Sequence, residues 1–287
     1  KKIMKTKRLL HYAGMALLLL VFGSTFQEKS QKITDLRPTV LLISMDGFRS
    51  DYIDKTNTPN LHRLTATGVR AKGLIPSFPS KTFPNHYTIV TGLYPENHGM
   101  ISNSMWDPDL QTAFSMRNDS TIKDSRWWGG EPLWVTAEKQ GQISGTYFWP
   151  GSEAEIGGKR PTYCEPYNGK VPDEARVARV LSWLDLPLTR RPTFITLYFS
   201  ASDDVGHKFG PDSKEIERTI QHLDSIAGLL ISGLDARGIF DAINIIIVSD
   251  HGMSASSPDR VIFLDDYVDT TSIRLIIESP IAALRST

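Results

Sequence analysis

Three aspartates and two histidines recur at one kind of position in this sequence. Asp46 follows the apolar run 39–45, Asp203 and His207 follow the run 194–200, and Asp250 and His251 follow the run 243–249. Each run is short and almost wholly apolar, and reads as a buried strand. Carboxylates gathered at one sheet edge repel one another unless a cation joins them. Mixed carboxylate and imidazole ligands suit zinc, and less specifically manganese or iron. Magnesium and calcium favour an all-oxygen cage. The set is too large for one tetrahedral zinc, whereas two metals roughly 3.5–4 Å apart form the clamp used in phosphoryl chemistry. Taken singly, Asp46-Gly47 is a common strand-to-turn pair, Asp203 and His207 are a solvated loop pair, and Asp250-His251-Gly252 is a capping turn. Their joint placement is what points to metal.

The candidate nucleophile is Thr82, in Pro79-Ser80-Lys81-Thr82-Phe83-Pro84-Asn85-His86. A threonine hydroxyl is inert near neutral pH unless a metal or a base lowers its pKa. Thr82 stands at the expected start of a helix, where free N–H groups and the helix dipole favour negative charge. The same position also suits a plain helix N-cap. His86, His98 and His222 have no ligand spacing.

The elements that must position these residues alternate. Thr58-Pro59 opens a helix that Gly68 closes, and a second helix runs from about Thr82 to Thr91 with Gly92 as its stop. Residues 97–130 read as irregular, with Asp107-Pro108 and Gly129-Gly130 as turn signals. A short helix over 131–140 precedes a strand over 143–148. Residues 149–172 read as an ordered loop. A helix over 172–185 then leads to the strand at 194–200. The long helix 213–237 keeps Ile216, Ile220, Leu223, Ile226, Leu230 and Leu234 at helical spacing. Such alternation implies a parallel sheet covered on both faces. Sites in these sheets lie outside the carboxyl ends of the strands, where the three aspartates fall.

Residues 1–32 carry seven Lys and Arg and one acid, leaving 25 bases against 31 acids in the rest of the chain. An acidic body argues against stable nucleic-acid binding, which needs basic surface to displace counterions. Cys164 is the single cysteine, so no intrachain disulfide forms. The basic start, the apolar run 13–22 and the small residues after it form an export signal or an N-terminal anchor over 1–26. The run is short for a bilayer span, which needs roughly 20 apolar residues. A linker over 27–37 follows. The expected location is periplasmic or extracellular, with membrane contact only through the N-terminal segment.

The chain resembles the nucleotide pyrophosphatase/phosphodiesterase family of the alkaline phosphatase superfamily. The stretches that carry the resemblance are Leu42–Arg49, Pro79–Tyr87, Thr91–Asn103, Phe148–Ser152, Asp203–Pro211 and Ser249–Met253, in family order. The resemblance implies an α/β fold, an alkaline-phosphatase-like three-layer sandwich with a mostly parallel central sheet. Residues 38–287 would be its catalytic domain, with the C-terminal part apparently missing. It further implies two zinc ions: one held by Asp46, Thr82, Asp250 and His251, the other by Asp203 and His207. Thr82 would attack phosphorus and form a covalent phospho-threonine, which water then hydrolyses. Asn103 and a backbone N–H near Thr82 would hold a phosphate oxygen. Phe83, Tyr167 and Tyr198 match positions that line a nucleobase slot, although Tyr198 also suits a core strand and Tyr167 a loop anchor. The implied partner is a small nucleotide or other phosphodiester. In the family, the second zinc takes a further histidine from beyond the Asp250-His251-Gly252 motif, and this sequence has none after His251. A phosphomonoesterase, a phospholipid-type diesterase and an inactive fragment with an incomplete second metal site are the alternatives.

Overall fold

Five short segments of the chain, three of them almost wholly apolar, pair side by side, all in the same direction. This computed structural model describes residues 31–277, 281 and 283–286. The expected signal or anchor over 1–26 lies outside the described residues. The described residues from 32 onward form one compact unit. Strand β1 (Thr39–Met45) is followed by helices α1 (Tyr52–Lys55), α2 (Pro59–Thr67), α3 (Thr82–Thr91) and α4 (Pro95–His98). Then come the hairpin strands β2 (Ser104–Asp107) and β3 (Thr112–Ser115), and helices α5 (Asp119–Ile122) and α6 (Leu133–Lys139). Strands β4 (Ser144–Tyr147) and β5 (Tyr163–Glu165), helix α7 (Asp173–Leu184) and strand β6 (Phe194–Phe199) follow. Helices α8 (Ala201–Phe209) and α9 (Lys214–Arg237), strand β7 (Ile243–Val248) and a hairpin of β8 (Ile273–Ile277) and β9 (Ala283–Ser286) complete the order.

The central sheet has the order β5-β4-β6-β1-β7, and every pair in it is parallel. Alternate residues of β1 point to opposite faces. Leu41, Ile43 and Met45 join a core with Ile195, Leu197 and Phe199, the buried face of α7 and Leu223, Ile226, Leu230 and Leu234 of α9, while Ile216 and Ile220 pack with Tyr52. Leu42 joins a second core with Tyr87, Val90, Trp134, Val135 and Trp149. The sheet thus lies between two helical layers, the expected three-layer arrangement.

The long helix α9 forms because its apolar residues recur at helical spacing and both ends are capped. All six residues of the expected stripe are buried. The Ser213 hydroxyl accepts from the Ile216 N–H, and Gly238 closes the helix in the left-handed region.

Two segments differ from the sequence reading. The stretch 97–130 is not irregular throughout: β2 and β3 pair in antiparallel register, Ser104 with Ser115 through Asp107 with Thr112. Four-residue strands are too short to declare a period, and the Asp107-Pro108 turn masked them. The loop over 149–172 contains β5, which pairs with β4 and forms one edge of the sheet. At the other edge, β7 is less covered than its apolar sequence implies, and Ile246 is 47% exposed. Beside it runs a groove of about 740 Å³, lined in part by Leu61, Leu64, Phe240, Ile245 and Ile247. Among the described residues no helix is long and apolar enough to cross a membrane.

Candidate active site

Parallel strands bring their carboxyl ends to one rim, and β1, with β6 on one side and β7 on the other, delivers three aspartates there. Asp46 follows β1 directly, Asp250 stands two residues after β7, and Asp203 lies in the first turn of α8, which starts two residues beyond β6. The bend after β1 needs glycine. Gly47 has φ +64°, and a Cβ there would lie 3.0 Å from Asp203 Oδ1. Its N–H donates to Asp250 Oδ1 at 3.1 Å. Ser202 Oγ donates to the Asp46 carbonyl at 2.6 Å, and Ser249 Oγ accepts from Phe48 N while donating to the His251 carbonyl. Short hydroxyl side chains thus fasten the three loops to one another.

His251 shows what the rim is built for. Its Nδ1 lies 2.9 Å from the Gly252 carbonyl, which can only accept, so Nδ1 carries the hydrogen. In the neutral ring Nε2 is then the atom with the lone pair. Facing it are Asp250 Oδ2 at 3.2 Å, Thr82 Oγ1 at 3.5 Å and Asp46 Oδ1 at 3.6 Å. One ligand atom each from Asp46, Asp250 and His251 fall within 4.8 Å of one another. Asp46 Oδ1, Asp203 Oδ1 and Asp250 Oδ2 are buried and have no hydrogen-bond partner. A buried carboxylate oxygen without a partner is costly. Two of them, from Asp46 and Asp250, beside the His251 imidazole fit a cation, and mixed oxygen and nitrogen donors fit zinc.

The electrostatics agree. Burial and the facing Asp250 and Asp203 carboxylates push Asp46 well above the usual carboxylate range. Burial also raises Asp203, against the pull of His207 and His251. Asp250 goes the other way: against its burial, neighbouring His86 and His251 and the N–H of Gly47 hold it below the ordinary range.

Thr82 is the first residue of α3. The N-cap is Lys81, and no side chain caps this helix, so Thr82 is not the plain cap that its position also allowed. The N–H of Phe83 donates to Asn103 Oδ1 at 3.0 Å. That backbone group is therefore committed to Asn103, and it fixes the amide whose NH2 can donate to a ligand. Asp203 and His207 form their own pair, with Nε2 3.3 Å from Oδ1 and the His207 side chain 71% exposed. Asp204 is exposed.

The aromatic residues divide. Tyr167 is 53% exposed, and its ring meets those of Phe148 and Tyr198 edge-on at 5.2 and 6.0 Å. The Tyr167 N–H donates to Glu153, which holds this loop in place. Phe83 packs at 5.7 and 6.0 Å from the rings of Phe114 and Trp128. Tyr198 is buried, and its hydroxyl donates to Asp46 Oδ2 at 2.7 Å. It therefore orients a carboxylate as well as backing Tyr167, a task its apolar strand context hides. The sequence reading set His86 aside for want of ligand spacing. It stands four residues after Thr82, on the same helical face, and that spacing was the available signal.

Residues 40–287 match the family described as type I phosphodiesterase / nucleotide pyrophosphatase. The chain is 45% identical over 249 residues to venom phosphodiesterase 2 of Crotalus adamanteus, covering 86% of this chain and 30% of that protein. It is 44% identical over 250 residues to human ectonucleotide pyrophosphatase/phosphodiesterase family member 1, covering 86% of this chain and 27% of that protein. Among solved structures, an inactive threonine-to-alanine variant of murine ectonucleotide pyrophosphatase/phosphodiesterase 5 in complex with AMP superposes with a TM-score of 0.81. Identity there is 40%, over 87% of this chain and 66% of that one. The chain thus spans less than a third of the length of these two curated relatives. A match over most of its length, with the same parallel sheet beneath, means that the chain belongs to the type I phosphodiesterase / nucleotide pyrophosphatase family.

Proposed function

We propose that this chain is the catalytic part, residues 38–287, of an exported metal-dependent hydrolase that cleaves nucleotide phosphodiester or pyrophosphate bonds and releases nucleoside monophosphates. The observation that carries the reading is the set of three buried carboxylate oxygens without a hydrogen-bond partner, near a threonine at a helix start. Asp46, Thr82, Asp250 and His251 would hold one zinc, and Asp203 and His207 would hold a second. Zinc there supplies a lowered hydroxyl pKa and positive charge for the phosphoryl oxygens.

The chain's own residues do the rest. Thr82 Oγ1 attacks phosphorus in line and expels the leaving alcohol or phosphate, forming a phospho-threonine ester. In the first turn of α3 the Phe83 N–H is taken by Asn103, Pro84 has no N–H and the Asn85 N–H bonds the Lys81 carbonyl. That leaves the Thr82 N–H as the backbone donor for a phosphoryl oxygen. The Asn103 amide donates to a non-bridging oxygen, and its orientation is set by Phe83 N–H. Water then hydrolyses the ester and restores Thr82. Tyr167 and Phe83 offer flat faces to a base without reading a sequence. Export is supported by the basic and apolar start of the chain and by the ecto and venom descriptions of its relatives.

The test compares an aryl phosphodiester with the matching monoester, with zinc supplied and then chelated. The parent chain is run beside Thr82→Ala. The expected result is zinc-dependent cleavage that favours the diester and is lost in the variant, while zinc stays bound. Turnover retained in Thr82→Ala removes the nucleophile. A preference for the monoester moves the assignment to a phosphatase. Tyr167→Ala is expected to raise KM for nucleotide diesters more than for aryl diesters, and equal effects on both remove the stacking role.

A further inference from the structure

His86 sits behind the rim rather than in it, and it is completely buried. Its Nδ1 lies 2.8 Å from the Thr82 carbonyl and 3.4 Å from Asp250 Oδ2. Its Nε2 lies 2.7 Å from Ser44 Oγ on β1. A carbonyl can only accept, so Nδ1 carries a hydrogen. That hydrogen serves the backbone of the candidate nucleophile and also faces the Asp250 oxygen that has no hydrogen-bond partner. The ring is held on its other sides. The Trp149 and Tyr198 rings meet it edge-on at 5.1 and 5.3 Å, and Trp149 Nε1 donates to the His86 carbonyl. Tyr198 in turn donates to Asp46. One imidazole therefore touches the threonine-bearing turn, one carboxylate of the rim, the strand that delivers a second carboxylate, and the tyrosine that orients it.

We propose that His86 is a positioning residue of this site: its Nδ1–H fixes the first turn of α3, and with it Thr82 Oγ1, relative to Asp250. The inference rests on the proposed metal-dependent reading of the same site. A purely packing role needs only a residue of this volume. The positioning role needs a donor at the Nδ1 place, and outer partners of metal ligands typically contribute about 10–100-fold to metal affinity or activity.

Three substitutions separate the two roles. An asparagine amide nitrogen falls where Nδ1 stands, a glutamine amide nitrogen where Nε2 stands, and leucine keeps volume with neither. Zinc affinity is read by competition with a chromogenic chelator, beside circular dichroism and single-turnover cleavage of an aryl phosphodiester. The expected result is that His86→Leu and His86→Gln lose about 10–100-fold in zinc affinity while His86→Asn recovers most of it. Single-turnover rate is expected to follow the same ranking. The proposal is overturned if His86→Leu binds zinc as the parent does, or if folded His86→Asn is no better than His86→Gln. If His86→Leu does not fold, the contrast between asparagine and glutamine decides alone. The affinity ranking needs no turnover. A parent that binds zinc, ranks the variants as expected and cleaves no diester retires the proposed reaction and keeps the positioning role. A parent that binds no zinc retires the positioning role.

Discussion

Asp46 is where the electrostatic cost of the site concentrates. It is buried, it faces Asp203 and Asp250, and only one of its oxygens has a hydrogen bond. A carboxyl whose pKa is raised in the fold holds its proton where the unfolded chain has released it. Its contribution to stability therefore falls as pH rises from the ordinary carboxylate value through the raised one. Asp46→Asn removes that penalty and keeps an oxygen for Tyr198. We expect the variant to melt higher than the parent in chelator, each kcal/mol showing as roughly 2–4 °C, and to lose the zinc-dependent rise in Tm. A variant that melts lower in chelator removes the repulsion argument. At this scale much was legible in advance. Asp46, Asp203, Asp250, His207 and His251 stand beside apolar strands, where a charged residue has no packing reason to be. The roles of His86 and Tyr198 were not legible, because each depends on a partner brought close only by the fold: Asp250 for the one, Asp46 for the other.

Helices α3 and α4 show how an element is locked. His98, the last residue of α4, is 1% exposed. Its Nδ1 accepts from Met100 N, and its Nε2 then donates to Thr88 Oγ1 in α3. Both nitrogens are committed in the neutral form, and burial lowers the pKa from 6.5 to about 4. The unfolded chain takes up a proton near pH 6.5, whereas the fold resists until about pH 4. Stability from this group is therefore complete above pH 6.5 and is lost as pH falls to about 4. Urea unfolding across that window is expected to give a flatter pH dependence for His98→Gln than for the parent. Equal slopes assign the dependence to other groups. The long periodic elements, α7 and α9, were readable because apolar spacing repeats over several turns. Strands β2, β3 and β5 were not, since three or four residues carry no period and β5 gains its definition only by pairing with β4.

At the scale of the molecule, the sheet has one well-covered side and one open edge. Among the described residues β7 pairs only with β1; Ile246 is exposed on one of its faces, and Ile245 and Ile247 line the groove on the other. An open apolar edge is a template for another strand. The purified chain is expected to self-associate, and Ile246→Lys to shift sedimentation toward the monomer. A parent that stays monomeric at all concentrations shows that the edge is guarded. The alternation of elements, and hence the parallel sheet, was readable from the sequence, whereas which strand lies at an edge depends on the order in space. That order has a kinetic consequence. Asp46, Asp203 and Asp250 come together only when segments more than 150 residues apart have paired on both flanks of β1. Closing such long loops is slow and comes late. Any cation held between Asp46 and Asp250 therefore cannot nucleate folding. Its capture reports that the last strand has docked, and the rate of metal uptake by refolding chains becomes a clock for the completion of the sheet.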